Sequence, residues 1–213
     1  MMAILADIPH GTKTLIKDSQ LKYFDSQLTR NGNKLLLSFH TEEKDKERKI
    51  YLLDLDSWKV QFQASFSLSS YGDMFLNEDG SLLYLNGDIY NTLTKEKKSV
   101  PWPASLSLYW ISASPNLNFI VRGVGMFPAF SWVEGQWGTM VYTPNGFFMI
   151  SSPDWSWPPC KVDNDGTIYT NRWDIFKFEG GTYKLVKTGI AAQLKIKDSG
   201  KPIEVRVTKV GGK

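Results

Sequence analysis

The chain has 213 residues but only one cysteine, Cys160, and two histidines, His10 and His40. A single cysteine permits no disulfide within the chain, which excludes a small scaffold held together by disulfides. Neither histidine has Cys or carboxylate neighbours at ligand spacing, so the sequence predicts no metal site. We expect no cofactor and a fold stabilised by an apolar core.

Long apolar runs are also missing. No run of about 18 apolar residues is present, so no membrane-spanning helix is predicted. The opening residues lack the basic region and long apolar core of a signal peptide, and the expected location is therefore the cytoplasm. With 25 basic against 22 acidic residues, the net charge of +3 is too small to indicate a nucleic-acid-binding face.

Motifs for catalysis are missing as well. There is no Gly-x-Ser-x-Gly elbow and no glycine-rich phosphate loop, and Asp163-Asn164-Asp165-Gly166 is typical of a hairpin turn rather than a calcium loop. The sequence therefore predicts a protein that is not an enzyme. One enzymatic interpretation remains, a glycan-processing enzyme in which aspartates near the ends of predicted strands converge in a cleft. These are Asp54, Asp56, Asp73, Asp88 and Asp174.

The strongest pattern in the sequence is the alternation of apolar and polar residues with a period of two. Residues 60–68 alternate apolar and polar side chains, and residues 203–207 repeat the pattern, as in strands with one buried face. Short apolar runs predict further strands, and we interpret residues 104–111 as a strand because their side chains alternate. No amphipathic helix longer than two turns is predicted. The further strands are expected at residues 34–39, 50–55, 82–85, 119–121, 140–142 and 147–150.

The strands are separated by regular turn signals. Asn31-Gly32, Asp79-Gly80 and Asp165-Gly166 each precede a strand, and Pro115-Asn116 stands in a comparable place. Gly32 and Gly80 are 48 residues apart, and Gly80 and Gly166 are 86 apart, close to two further units. A repeat of this length built of short strands is typical of blades.

Over residues 21–190 the chain thus resembles the β-propeller repeat proteins, although the Gly-His and Trp-Asp marks of WD40 blades are missing. The resemblance implies an all-β fold, a small four- to five-bladed or partial β-propeller, in a single domain over residues 1–213. A β-sandwich is the alternative fold. We expect the segment Thr14–Lys17 to pair with the last sheet and close it.

The composition changes sharply in one block. Residues 99–153 carry only two charges, Arg122 and Glu134, while the other 158 residues carry 45. Buried central strands explain such a block in part. Its connections, however, carry Trp, Phe and Met, although surface loops normally carry charge. Arg122 and Glu134 flank a predicted hairpin and are expected to pair with each other.

Loss of charge with a gain of aromatics and Met marks the core of a protein interface. We therefore hypothesise a non-catalytic protein–protein interaction module, such as an adaptor, an accessory factor or a toxin-capping inhibitor. The alternative is a lectin-like protein whose Trp rings stack on carbohydrate. The predicted contact residues are Trp102, Met126, Phe127, Phe130, Trp132, Trp137, Trp155 and Trp157.

Overall fold

The computed structural model describes residues 2–8, 11–18, 21–41, 47–67, 73–102, 106–126, 137–152 and 157–210. The chain divides into two compact units, Met1–Val100 and Pro101–Lys213. We refer to them as unit 1 and unit 2.

Unit 1 begins with a two-stranded antiparallel sheet of β1 (Met2–Ile8) and β2 (Gly11–Asp18). Within it Thr14 pairs with Leu5 and Lys17 with Ala3, so the prediction that Thr14–Lys17 joins the last sheet is wrong. The tight connection between Ile8 and Gly11 favours this local pairing because it closes a short loop at little entropic cost.

Two four-stranded antiparallel sheets complete unit 1, each with its strands in sequence order. The first sheet contains β3 (Leu21–Leu28), β4 (Lys34–Thr41), β5 (Glu47–Asp54) and β6 (Lys59–Ser67). The second contains β7 (Met74–Leu76), β8 (Leu82–Leu85), β9 (Asp88–Asn91) and β10 (Lys97–Ser99). Their apolar faces share one core, which includes Leu36, Ile50, Leu52, Phe62, Leu76, Leu83 and Leu85.

Unit 2 repeats this plan. Its first sheet contains β11 (Leu106–Ala113), β12 (Ile120–Met126), β13 (Trp137–Thr143) and β14 (Gly146–Ser151). Its second contains β15 (Pro159–Val162), β16 (Ile168–Thr170), β17 (Ile175–Glu179) and β18 (Thr182–Lys187). A helix, α1 (Ile190–Ser199), then leads to β19 (Arg206–Val210), which pairs with β14 as a fifth strand of the first sheet.

In the described part of the chain, four successive antiparallel sheets each contain four consecutive strands, which is the construction of β-propeller blades. We number the blades one to four in chain order. A β-sandwich would instead require Greek-key connections between strands. The predicted fold class is therefore confirmed: the protein is all-β and is built of propeller blades. The strands expected at residues 60–68 and from short apolar runs are also confirmed, as is the one predicted over residues 104–111, which forms β11. The strand predicted over residues 203–207 is misplaced, because β19 begins only at Arg206.

Helix α1 was missed by the sequence analysis, because the prediction concerned amphipathic helices and α1 is not amphipathic. The helix has ten residues, starts at Gly189 without a side-chain cap and has no acidic residue in its first turn. Its buried residue is Ala192, while Ile190 and Leu194 face solvent. Apolar side chains thus lie on opposite faces, so the usual amphipathic signal of a helix is absent.

The same turn joins the first and second strands of all four blades. In blade one the Gly32 N–H donates to the Thr29 carbonyl (2.9 Å), and the Asn33 N–H donates to the Asn31 side chain (3.3 Å). A positive φ occurs at Gly32 (75°) and at the equivalent Leu117 (57°). The predicted repeat is confirmed, and Pro115-Asn116 belongs to its third copy. The equivalent residues in blades two to four are Asn77, Asp79 and Gly80; Ser114, Asn116 and Leu117; Asp163, Asp165 and Gly166.

The dependence of the unfolding free energy on acidic pH tests whether the turns of blades three and four are equivalent. Hydrogen bonds from the Thr167 amide and hydroxyl hold the pKa of Asp165 below its usual 3.8. A carboxyl with a lowered folded-state pKa stabilises the fold above its unfolded pKa. That contribution is lost as the pH falls through the folded pKa, below about 4.

Asn116 holds the same place in blade three, so Asp165→Asn keeps the acceptor and removes the titration. We expect Asp165→Asn to match the wild-type unfolding free energy at neutral pH and to lose less stability in acid. Asp165→Ala should lose about 1 kcal/mol at neutral pH. Urea titrations followed by circular dichroism measure both. An Asn variant as acid-sensitive as the wild type would contradict the assignment.

Candidate functional site

The strands of the uncharged block are buried. Along β12 to β14, buried side chains occur on both faces, as at Ile120 and Val121 and again at Phe147 and Phe148. On one face Val121 and Phe148 join a core shared with the fourth blade. Burial therefore explains why Arg122 is the one charged residue of β12 to β14, and a binding role is left to their connections.

The register of the sheet places these connections at one end. Leu106 at the start of β11 pairs with Met126 at the end of β12, and Gly125 pairs with Trp137 at the start of β13. Ser151 at the end of β14 pairs with Gly138. The chain thus enters or leaves all four strands at the same edge, which we call the loop end of unit 2. Because the connections leave the sheet at the same end, they can form a single surface.

The fourth blade is oriented in the same way. The Asn116 N–H donates to the Asn164 side chain (2.8 Å), which joins the β11–β12 turn to the β15–β16 turn. At the other end, the Asn171 N–H donates to the Pro158 carbonyl (3.0 Å), next to the connection that follows β14. The β16–β17 turn therefore belongs to the loop end.

That turn carries an exposed tryptophan that the sequence analysis did not select. Trp173 is 79% exposed and has a φ of 68°. Hydrogen bonds fix the turn, since the Trp173 N–H donates to the Thr170 carbonyl and the Asp174 N–H donates to the Thr170 hydroxyl (both 3.1 Å). The signal available in the sequence was a Trp within the polar run Asn171-Arg172-Trp173-Asp174, where a core residue is unexpected.

Helix α1 begins at this turn and carries two more exposed apolar side chains. The Gly189 N–H donates to the Asp174 carboxylate (2.7 Å), and a Cβ on Gly189 would lie 1.8 Å from the Arg172 carbonyl oxygen. The helix therefore starts in backbone contact with the turn. Ile190 is 72% exposed, and Leu194, one helical turn later on the same face, is 55% exposed. We call Trp173, Ile190 and Leu194 the Trp173 patch.

Two predicted contact residues lie elsewhere. The half-buried Trp102 packs its ring edge against Phe147 (centroids 5.3 Å apart) and lies 5.3 Å from the Arg122 guanidinium carbon. Phe147 is near the start of β14, at the end of the sheet opposite the loop end. Trp102 therefore lies at the end of the sheet opposite the loop end. Arg122 is buried and lies over an aromatic ring.

Trp157 is in the core. Its side chain is only 1% exposed and packs edge-on against Phe176, with 5.1 Å between ring centroids. The Thr139 hydroxyl donates to its backbone carbonyl. The prediction of a surface contact is therefore wrong for Trp157, because its ring fills the space between the sheets of the third and fourth blades.

Of the remaining predicted residues, two lie within the described ranges. The backbones of Met126 and Trp137 flank the loop end as the last residue of β12 and the first of β13. Phe127, Phe130, Trp132 and Trp155 lie outside the described residues, as does Glu134, the expected partner of Arg122.

The aspartates considered for catalysis include several with structural roles. Asp54 accepts hydrogen bonds from the Ser57 amide (2.7 Å) and hydroxyl (2.6 Å), and Asp88 accepts from Ser99 (2.6 Å) and Lys97 (3.0 Å). Asp174 is buried and holds the start of α1. Among the described side chains, His, Cys, Asp and Glu form no group of three that could hold a metal ion.

Within the described ranges, no helical segment combines the length and apolar character needed to cross a membrane.

No protein-family model and no curated protein sequence matches this chain. Among solved structures, a prolyl endopeptidase matches with a TM-score of 0.53 and 13% identity over 86% of this chain and 32% of its own. The oligogalacturonate lyase of Vibrio parahaemolyticus matches with a TM-score of 0.53 and 13% identity over 90% of this chain and 60% of its own. The β-propeller domain of the trilobed protease from Pyrococcus furiosus has a TM-score of 0.46 and 12% identity, over 88% and 65%.

The chain thus spans less than two thirds of each of these structures. At 13% identity or less the likeness concerns the fold, and it carries no activity over to this chain.

Proposed function

We propose that the protein is a non-catalytic interaction module in the cytoplasm that binds another protein through the loop end of unit 2. The observation that supports this most is Trp173, exposed at the same end where the uncharged connections leave their strands. Tryptophan is among the residues most enriched at interface hot spots. Rings at that end can be desolvated with little loss of charge hydration, since residues 127–136 contain one charge, Glu134.

The sheets supply a rigid support for such a surface. The backbone ladders end at Met126, Trp137 and Ser151, so paired strands fix both ends of the connection after β12 and the start of the connection after β14. Binding residues on loops that are held by a rigid scaffold are a common arrangement.

A comparative pull-down from the cytosolic fraction of the native host tests the proposal. Tagged wild-type protein is compared with Phe130→Ala/Trp132→Ala, and recovered proteins are quantified by mass spectrometry. We expect one protein to be recovered with the wild type and reduced about tenfold or more with the double variant. Both substitutions lie in the connection after β12 and leave the paired strands unchanged.

The matched control is Leu93→Ala, which removes an exposed apolar side chain from unit 1 and should recover the same partner as the wild type. Equal recovery with the wild type and the double variant would contradict the proposal. If instead simple sugars shift the tryptophan fluorescence of the wild type but not of the double variant, the surface binds carbohydrate.

A further inference from the structure

Exposed basic side chains follow the elements that carry the Trp173 patch. Lys187 is exposed on β18 and pairs with Ile175, two residues beyond Trp173. Lys197 is exposed on α1, and its spacing from Ile190 and Leu194 places it on the same helical face. Lys201, also exposed, follows the end of the helix. The apolar patch therefore has a positive border.

Carboxylates do not balance this border. In the segment 172–201, Asp174 is buried against Gly189, and Glu179 lies at the far end of the β17–β18 hairpin, 3.9 Å from Lys184. Asp198 is exposed and, four residues after Leu194, lies on the same helical face as Lys197, but the segment as a whole carries seven basic residues against three acidic ones. The field at the patch thus favours a negatively charged partner.

The backbone of Trp173 gives an independent observation. A bulky residue at positive φ is strained, at a cost of about 1–2 kcal/mol, and Gly or Asn usually takes such a position. Trp58, also at positive φ, is half-buried, whereas Trp173 is 79% exposed and gains little packing within the fold. A strained and exposed side chain is typical of a functional contact.

We propose that the Trp173 patch binds an acidic segment of a partner protein, one that presents an apolar side chain to Trp173 between carboxylates that reach Lys187 and Lys197. This inference rests on the proposed function and names the chemistry of the partner. A second copy of the chain fits poorly, because two patches with positive borders repel each other.

A library of random linear peptides displayed on phage is the probe, selected on the wild type after depletion on Trp173→Asn. Asparagine tolerates positive φ, so this variant should melt at the wild-type temperature or above. We expect enriched peptides that combine acidic residues with an apolar residue. Synthesised peptides should bind Trp173→Asn and Lys187→Gln/Lys197→Gln about tenfold more weakly than the wild type, and less tightly in high salt. Leu93→Ala should bind them as the wild type does.

Enrichment of neutral or basic peptides, or no enrichment, would overturn the proposal. Sedimentation of the wild type, but not of Trp173→Asn, with phosphatidylserine-containing vesicles would also overturn it and make a lipid surface the occupant. The proposed function fails by a different result, equal pull-down with Phe130→Ala/Trp132→Ala, so the two failures are distinguishable.

Discussion

Gly189→Ala is expected to lower the unfolding free energy by about 4 kcal/mol. The new Cβ would lie 1.8 Å from the Arg172 carbonyl oxygen and 3.1 Å from the Trp173 carbonyl carbon. These are backbone atoms and cannot rotate away, so α1 has to separate from the β16–β17 turn. The separation breaks the bond from the Gly189 N–H to Asp174 and leaves a buried carboxylate without that donor.

Gly200→Ala is the matched control at the other end of α1. Gly200 has a φ of 67°, and apart from its chain neighbours and its own helix backbone nothing lies within 4 Å of its Cβ position, so alanine there meets backbone strain without a clash. We expect a loss of about 1 kcal/mol. Urea unfolding followed by circular dichroism compares the two variants. Similar losses for both would show that the turn and the helix are not in the close contact described here.

The second large effect is expected for Trp157→Ala, a loss of about 3–5 kcal/mol. Trp157 is among the largest fully buried side chains, and its removal leaves a cavity beside Phe176 in the core of unit 2. Unfolding by urea measures the loss. Reduced binding of the partner at unchanged stability would contradict this result and restore Trp157 as a contact residue.

Trp157→Phe distinguishes the effect of losing the aromatic ring from the effect of losing the buried indole N–H. The indole N–H of Trp157 has no acceptor among the described residues, so phenylalanine removes an unsatisfied buried donor while it keeps an aromatic ring against Phe176. We therefore expect Trp157→Phe to lose less than half of what Trp157→Ala loses. Equal losses would mean that the indole N–H is satisfied in solution.

The strands and the blade repeat could be predicted from the sequence because their signals are local. Alternation over residues 60–68 reports which side chains share a face of β6, and Asn31-Gly32 reports a backbone with positive φ. Helix α1 escaped because its docking face is one alanine and the start of the helix is held by Asp174, fifteen residues earlier in the chain.

By itself, the sequence determined that the chain is all-β, that a blade-length unit recurs, and that one block lacks charge. Only the tertiary structure decided which tryptophans lie inside and which outside. Trp157 and Trp173 both sit in short connections between strands, yet one fills the core and the other is exposed to solvent. The physical reason is that alternation and turn chemistry act over a few residues, whereas burial depends on which distant segments pack against a side chain.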